Sequence, residues 1–282
     1  MKSQLSKIKS ALRKGADLSK VKVYQRFFKT GPGQYGAGDL FLGVTVPKQR
    51  LVAKQFADLS LSDLQSLLAS KFHEDRCTSL IILVNQFNRA DKAGKIKLAK
   101  FYLKNLRYVN NWDLVDGSAP KILGPYLEIL CQRPSQLQNS PTSHPEMIRS
   151  IAENRRRIPA HLQPTPEILR LRLSTSAAQN DILTRLALSR NIWQRRTAIL
   201  ATFYFIQKNQ PQATLQLAKI LLNDPEDLIH KAVGWMLREV GKHCGQALLE
   251  KFLRQHKNQM PRTMLRYAIE RLPVNKKKLY LS

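Results

Sequence analysis

Nowhere in the 282 residues does an apolar run reach the roughly 20 residues that a helix needs to span a bilayer. A membrane-embedded protein is therefore not expected. The first ten residues, Met1 to Ser10, carry Lys2, Lys7 and Lys9 in the manner of a secretory n-region, but the apolar segment that must follow one is missing, so a cytoplasmic location is expected. Cysteine is scarce: Cys77, Cys131 and Cys244 are odd in number, far apart and without CxxC or Cys/His ligand spacing. Neither a disulfide framework nor a bound metal is expected. Alternating, strand-like runs are also scarce, the six histidines do not cluster, and P-loop, HExxH, GxSxG and EF-hand patterns do not occur.

Acidic residues are few as well. Twenty Asp and Glu stand against 47 Lys and Arg, a formal charge of +27 that needs counterions or a polyanionic partner, with nucleic acid the first candidate. The hydrophobic share of 43% is enough for a continuous core in one large domain or two ordinary ones.

From Leu51 onward, apolar residues recur at helical spacing, as in Leu61, Leu64, Leu67 and Leu68 and again in Leu80, Ile81, Leu83 and Val84. Gly117 to Pro120, Pro211, Pro225, Gly241 and Pro261 read as breaks between helices of roughly 10–15 residues. The class is all-α. A weak internal similarity aligns Arg76-Cys77-Thr78-Ser79-Leu80, Arg196-Thr197-Ala198-Ile199-Leu200, Lys231-Ala232-Val233-Gly234-Trp235 and Arg262-Thr263-Met264-Leu265. Their spacings lie near one or three units of the roughly 40-residue period of HEAT-like helix pairs, which favours a single solenoid over residues 1–282 with a concave basic face. The cations near these helix starts read either as a track for a polyanion or as solvated surface charges.

Residues of about 132–176 break the rhythm. Gln132 to Pro141 is polar and proline-interrupted, Arg155-Arg156-Arg157 is a basic run, and Pro159, Pro164 and Pro166 block a long helix. The segment reads as an insertion, either an added phosphate-gripping arm or a tolerated surface loop.

One constellation could carry chemistry. In Asn111-Trp112-Asp113-Leu114-Val115-Asp116-Gly117, Trp112 and Asp116 are four residues apart, which on a helix places both on one face. An indole attracts a cation through its quadrupole, worth about 0.5–2 kcal/mol, and a carboxylate stabilises positive charge developing at a sugar carbon. Against this stand ordinary core packing for Trp112 and, for Asp116, capping of a helix beginning near Ala119.

Several stretches together resemble the bacterial DNA alkylation repair glycosylases of the AlkD type, built from HEAT-like repeats. They are Phe27-Phe28-Lys29-Thr30-Gly31-Pro32-Gly33 with Tyr35-Gly36, Phe41-Leu42-Gly43-Val44 with Val46-Pro47, the Asn111–Asp116 stretch, Trp193-Gln194-Arg195-Arg196, Asp227 to Glu239, and Pro261 to Glu270. The resemblance covers nearly the whole chain apart from about 132–176. It implies hydrolysis of the N-glycosidic bond of cationic N3- and N7-alkylated purines in duplex DNA, by a monomer without metal or organic cofactor, in the bacterial cytosol. It also implies catalysis without a pocket for an extruded base. By the family's pattern Trp112, Asp116 and Trp235 gather at the catalytic cleft, with Arg196 on a phosphate near the lesion and Arg195, Lys231, Arg262 and Arg266 as further DNA contacts. The rival readings are a non-catalytic DNA-binding or damage-sensing relative, and a HEAT-type scaffold for acidic proteins.

Overall fold

A computed structural model describes residues 3–132 and 177–281; the segment read as an insertion lies outside the described residues except for Gln132. Among the described residues there is no strand, only an isolated parallel bridge between Leu40 and Phe72. The chain divides into two compact units, Met1–Tyr126 and Leu127–Ser282.

The first unit holds α1 (Gln4–Lys14), α2 (Leu18–Phe27), α3 (Val46–Gln55), α4 (Leu61–Leu68), α5 (His73–Arg89), α6 (Lys92–Lys104), a 3-10 turn (Leu106–Tyr108) and most of α7 (Trp112–Cys131). Side chains cap the orphan amides at several helix starts. Asp17 accepts from the Ser19 amide, Ser60 from that of Asp63 and Asp91 from that of Gly94. The core comprises Ile8, Leu12, Leu64, Leu67, Ile82, Leu83, Phe87, Leu114, Ile122 and Leu123.

At its centre lies a run of four ionisable residues. His73, Glu74, Asp75 and Arg76 open α5 and all are buried, so each charge must find a partner inside the unit. The Glu74 carboxylate accepts from the amides of Leu42, Gly43 and Val44 at 2.8–3.2 Å. Asp75 takes a bidentate bond from Arg13 of α1, at 2.7 and 2.9 Å. The Phe41-Leu42-Gly43-Val44 stretch is thereby a cradle for a carboxylate. Gly43 is required in it, because its φ is +80° and a Cβ would stand 2.0 Å from the Asp17 carbonyl oxygen.

α7 corrects the sequence reading in one respect. The Gly117 to Pro120 stretch does not separate two helices but lies inside a single 20-residue helix that also contains Pro125. Two interior prolines remove two backbone hydrogen bonds, including the one the Asp116 carbonyl would accept from position 120. Burial offsets the loss: Leu114, Val115, Ala119, Ile122 and Leu123 are almost wholly enclosed. Ser118 adds a bond to the Leu114 carbonyl and meets the Tyr102 hydroxyl at 2.9 Å.

The second unit contains α8 (Ala177–Ala187), α9 (Ile192–Ala201), the single turn α10 (Phe203–Ile206), α11 (Gln212–Ile220), α12 (Asp227–His243), α13 (Gln246–His256), a 3-10 turn (Lys257–Gln259), α14 (Arg262–Ile269) and α15 (Val274–Leu281). α12 is its central helix, burying Ile229, Val233, Met236, Leu237 and Val240. Gly234 lets α14 approach. A Cβ there would lie 2.4 Å from the Met264 carbonyl oxygen and 2.6 Å from the Tyr267 Cβ.

The repeat appears in a bonding pattern as well as in hydropathy. Arg76, the fourth residue of α5, donates to the carbonyl of Ser70 six residues before it, and Arg195, the fourth residue of α9, donates to the carbonyl of Ser189. His230, fourth in α12, meets the carbonyl of Asp224, again six residues back. Both arginines also hold a buried carboxylate, Asp39 and Asp224 respectively. The internal alignment therefore pairs Arg76 with Arg195, one residue from the Arg196 register expected from sequence. The shift arises because both residues of the Arg195-Arg196 pair are cations, and only the bonding distinguishes them. The chain has an all-α helical-repeat fold.

Candidate active site

Asn111 starts the site. Its side-chain oxygen accepts from the Trp112 amide at 2.8 Å, capping α7, and its amide nitrogen reaches Asp39 at 3.3 Å. Trp112 is thus the first residue of α7 and Asp116 lies one turn on, inside the helix. The structure replaces the expectation of a second helix starting near Ala119, and with it the capping alternative for Asp116. Both side chains are half-buried on the same face.

The Trp112 ring stacks on Phe28, with centroids 5.5 Å apart and planes 19° from parallel, and meets Phe27 edge to face at 5.6 Å. Phe27 is 60% exposed. Phe28 continues inward to Phe41 and to His73. Core packing and an exposed aromatic face are therefore both realised at Trp112, one on each side of the ring cluster.

The two acids of the stretch part company. Asp113 turns inward to His73 Nε2 at 2.8 Å, while the other ring nitrogen of His73 faces Asp39 at 3.1 Å. Burial opposes a charge on His73, but the carboxylates of Asp113 and Asp39 outweigh it and raise its pKa to about 9. Burial likewise opposes ionisation of Asp39, yet His73, Arg76 and Asn111 hold its carboxyl below the usual range. Sequence reading missed His73, Asp39, Asp113 and Phe28. The available signal was four consecutive ionisable residues at positions 73–76 entering an apolar helix, a pattern that demands internal partners.

Asp113 and Gly117 also border a groove of about 460 Å³, whose floor is Leu80, Ile81, Val84 and Leu114 and whose rim carries Arg50, Lys54 and Lys121. Nearby, Gly31-Pro32-Gly33-Gln34-Tyr35-Gly36 has the spacing of a dinucleotide-binding turn, but no strand precedes it and no helix follows until Val46.

In the second unit the three aromatic and basic stretches separate into structural and surface roles. Trp193 is core, 7% exposed, whereas Trp235 is half-buried and donates its indole N–H to the buried Glu239 carboxylate at 3.2 Å. Arg195, expected as a DNA contact, is buried and engaged within the unit. Its side chain is 5% exposed, bidentate to Asp224 at 2.6 and 3.1 Å and bonded to the carbonyls of Ser189 and Arg190. Arg196 is also buried and donates to the Leu228 carbonyl at 2.7 Å, tying α9 to the first turn of α12. Lys231 lies 2.7 Å from Asp227. Arg262 and Arg266 are exposed on α14, the former donating to the Leu281 carbonyl. The structure therefore joins Trp112 and Asp116 on one helix face, and places Trp235, Arg196, Lys231, Arg262 and Arg266 in the second unit.

Among the described residues no group of three or more His, Cys, Asp or Glu side chains is placed to hold a metal ion, and no helix is long and apolar enough to cross a membrane. No disulfide links Cys77, Cys131 or Cys244.

Comparison with solved structures finds the same fold in a protein described as a predicted DNA alkylation repair enzyme from Enterococcus faecalis. It is 13% identical, with a TM-score of 0.59 over 92% of this chain and 97% of that one. Comparison with curated proteins gives no match. A sequence family described as DNA alkylation repair enzyme matches residues 8–152 and 165–272, so its interruption falls inside the segment read as an insertion. With the capped Trp112 helix, the Glu74 cradle and the α12–α14 packing all inside those matched ranges, the chain belongs to the DNA alkylation repair enzyme family.

Proposed function

We propose that this protein is a DNA glycosylase that hydrolyses the N-glycosidic bond of cationic N3- and N7-alkylated purines in duplex DNA. The observation that carries the reading is a pairing of side chains on α7: Asp116 stands one helical turn from Trp112, on the face where the aromatic cluster reaches solvent.

An alkylated purine already bears positive charge, so the bond from C1′ to the base nitrogen breaks with its electron pair moving onto the base and neutralising it. No general acid is needed. Positive charge then develops on the sugar, where the Asp116 carboxylate and the electron-rich face of Trp112 stabilise it. Water adds to C1′ and gives its proton to Asp116, leaving an abasic site. Within the second unit the Trp235 indole edge is fixed by Glu239. Lys231, Arg262 and Arg266 contact the backbone, and Arg196 holds a phosphate from the α9–α12 junction.

The test is incubation with methylated duplex DNA in chelator-containing buffer, followed by chromatography of the released bases. Release of 7-methylguanine and 3-methyladenine, leaving abasic sites, supports the reading. Salt-sensitive duplex binding without release would make the protein a non-catalytic binder.

A further inference from the structure

A histidine buried between two carboxylates and against two phenyl rings is an expensive feature to retain, because each group must be desolvated. His73 is 2% exposed. Its ring closes a three-ring cluster with Phe28, centroids 4.7 Å apart, and Phe41, at 4.9 Å and 22° from parallel, the two phenyl rings themselves lying 5.1 Å apart. Its nitrogens face Asp39 and Asp113 at 3.1 and 2.8 Å. Three of these contacts lead to α7. Asp113 is that helix's second residue, Phe28 is the ring on which Trp112 stacks, and Asp39 is the acceptor of the Asn111 cap.

We propose that His73 is the positioning residue of this site, fixing the first turn of α7 so that Trp112 and Asp116 stand on their exposed face in one arrangement. The proposal rests on the glycosylase reading for its kinetic consequence, but not for its structural one.

Only a planar, doubly protonated ring meets all four contacts. A glutamine offers donors on one side only, and a lysine has no planar ring to pack against the two phenyl rings. When His73 loses its proton, one of the two N–H donors disappears and a carboxylate is left facing a ring lone pair. Besides burial, the groups that set this event are Asp113 from α7 and Asp39 from the preceding loop, with Arg76 on α5 itself. Tyr24 of α2 borders the same ring cluster through Phe28 and Phe41. Arg76 opposes the imidazolium charge, and Glu74 is tied to the amides of residues 42–44.

The experiment uses the full chain with 5-fluorotryptophan in place of its three tryptophans, the Trp112 resonance being assigned with Trp112→Phe. The 19F signal of Trp112 is expected to titrate with a midpoint of about 9, following His73, while those of Trp193 and Trp235 stay fixed over the same range. In His73→Gln the Trp112 signal is expected to move and to lose that midpoint. In the methylated-DNA assay His73→Gln should lower kcat about tenfold or more with KM changed less than about threefold, since misplacement affects the reacting geometry and not the backbone grip. A Trp112 signal that is invariant from pH 7 to 10 would overturn the proposal, and so would a kcat for His73→Gln within about twofold of wild type. If the wild type releases no base, the glycosylase reading fails by itself and the fluorine titration decides the positioning role. That titration needs no variant of His73, so a folding failure of His73→Gln does not remove the test.

Discussion

Arg76 and Arg195 occupy the same place in two repeats: each is the fourth residue of its helix, each donates to a serine carbonyl six residues back, and each holds one buried aspartate. A basic chain is readily pictured as a uniform cationic surface, yet these two arginines are internal struts. On the proposed reading, exposed cations such as Arg266 face DNA, which makes the separation of strut from contact experimentally accessible.

Arg195→Ala should destabilise the protein by about 3–5 kcal/mol, because it strands the Asp224 carboxylate in the interior. Arg266→Ala should leave urea stability within about 0.5 kcal/mol. It should also lower the slope of log K against log salt for duplex binding by about 1. Urea melts and salt titrations of the two variants distinguish the roles. A stability-neutral Arg195→Ala with a reduced salt slope would return Arg195 to the DNA contacts.

The α12–α14 contact gives a second expectation. Gly234→Ala places a methyl 2.4 Å from the Met264 carbonyl, backbone that cannot swing aside, so the helices must separate. A loss of about 1–3 kcal/mol is expected by urea denaturation. Gly117→Ala is the counter-case. A Cβ there meets no atom within 4 Å, so the variant should gain about 0.5–1 kcal/mol from helix propensity.

The contrast shows what was legible in the sequence. Leu64, Leu67 and Leu68 announce a buried helix face by their spacing alone, and the pairing of Trp112 with Asp116 follows from an i,i+4 separation once the stretch is helical. Gly234 and Gly117 look alike as letters, and only the three-dimensional neighbour separates a packing glycine from one in open space. Gly117 to Pro120 looked like a break because interior prolines usually are, and here the burial of Leu114, Val115 and Ile122 overrides local preference. His73 was invisible for a different reason. Its partners lie 34 and 40 residues away in sequence, and no spacing rule links a histidine to carboxylates at such distances.

Stability should depend on pH in a direction set by these pairs. His73 has a folded pKa of about 9, above its unfolded value of 6.5. Its contribution is therefore fully present below about pH 6.5 and is lost as pH rises through 9, with a size on the order of 3 kcal/mol. Asp39 is shifted the other way, so its contribution is present above its unfolded value of 3.8 and is lost as pH falls through its lowered folded value. Urea midpoints measured from pH 6 to 10 should decline toward the alkaline end, and the decline should be shallower in His73→Gln. Parallel profiles for the two proteins would remove His73 from the explanation.

Asp116, half-buried beside Trp112 on α7, is proposed to perform the chemistry. The most direct test of that role compares wild type and Asp116→Asn for duplex affinity and for release of 7-methylguanine and 3-methyladenine from methylated DNA. The substitution keeps size and helix position while removing the charge that stabilises the sugar cation. The account predicts unchanged affinity with release reduced by about 100-fold or more; release by Asp116→Asn at the wild-type rate would contradict it.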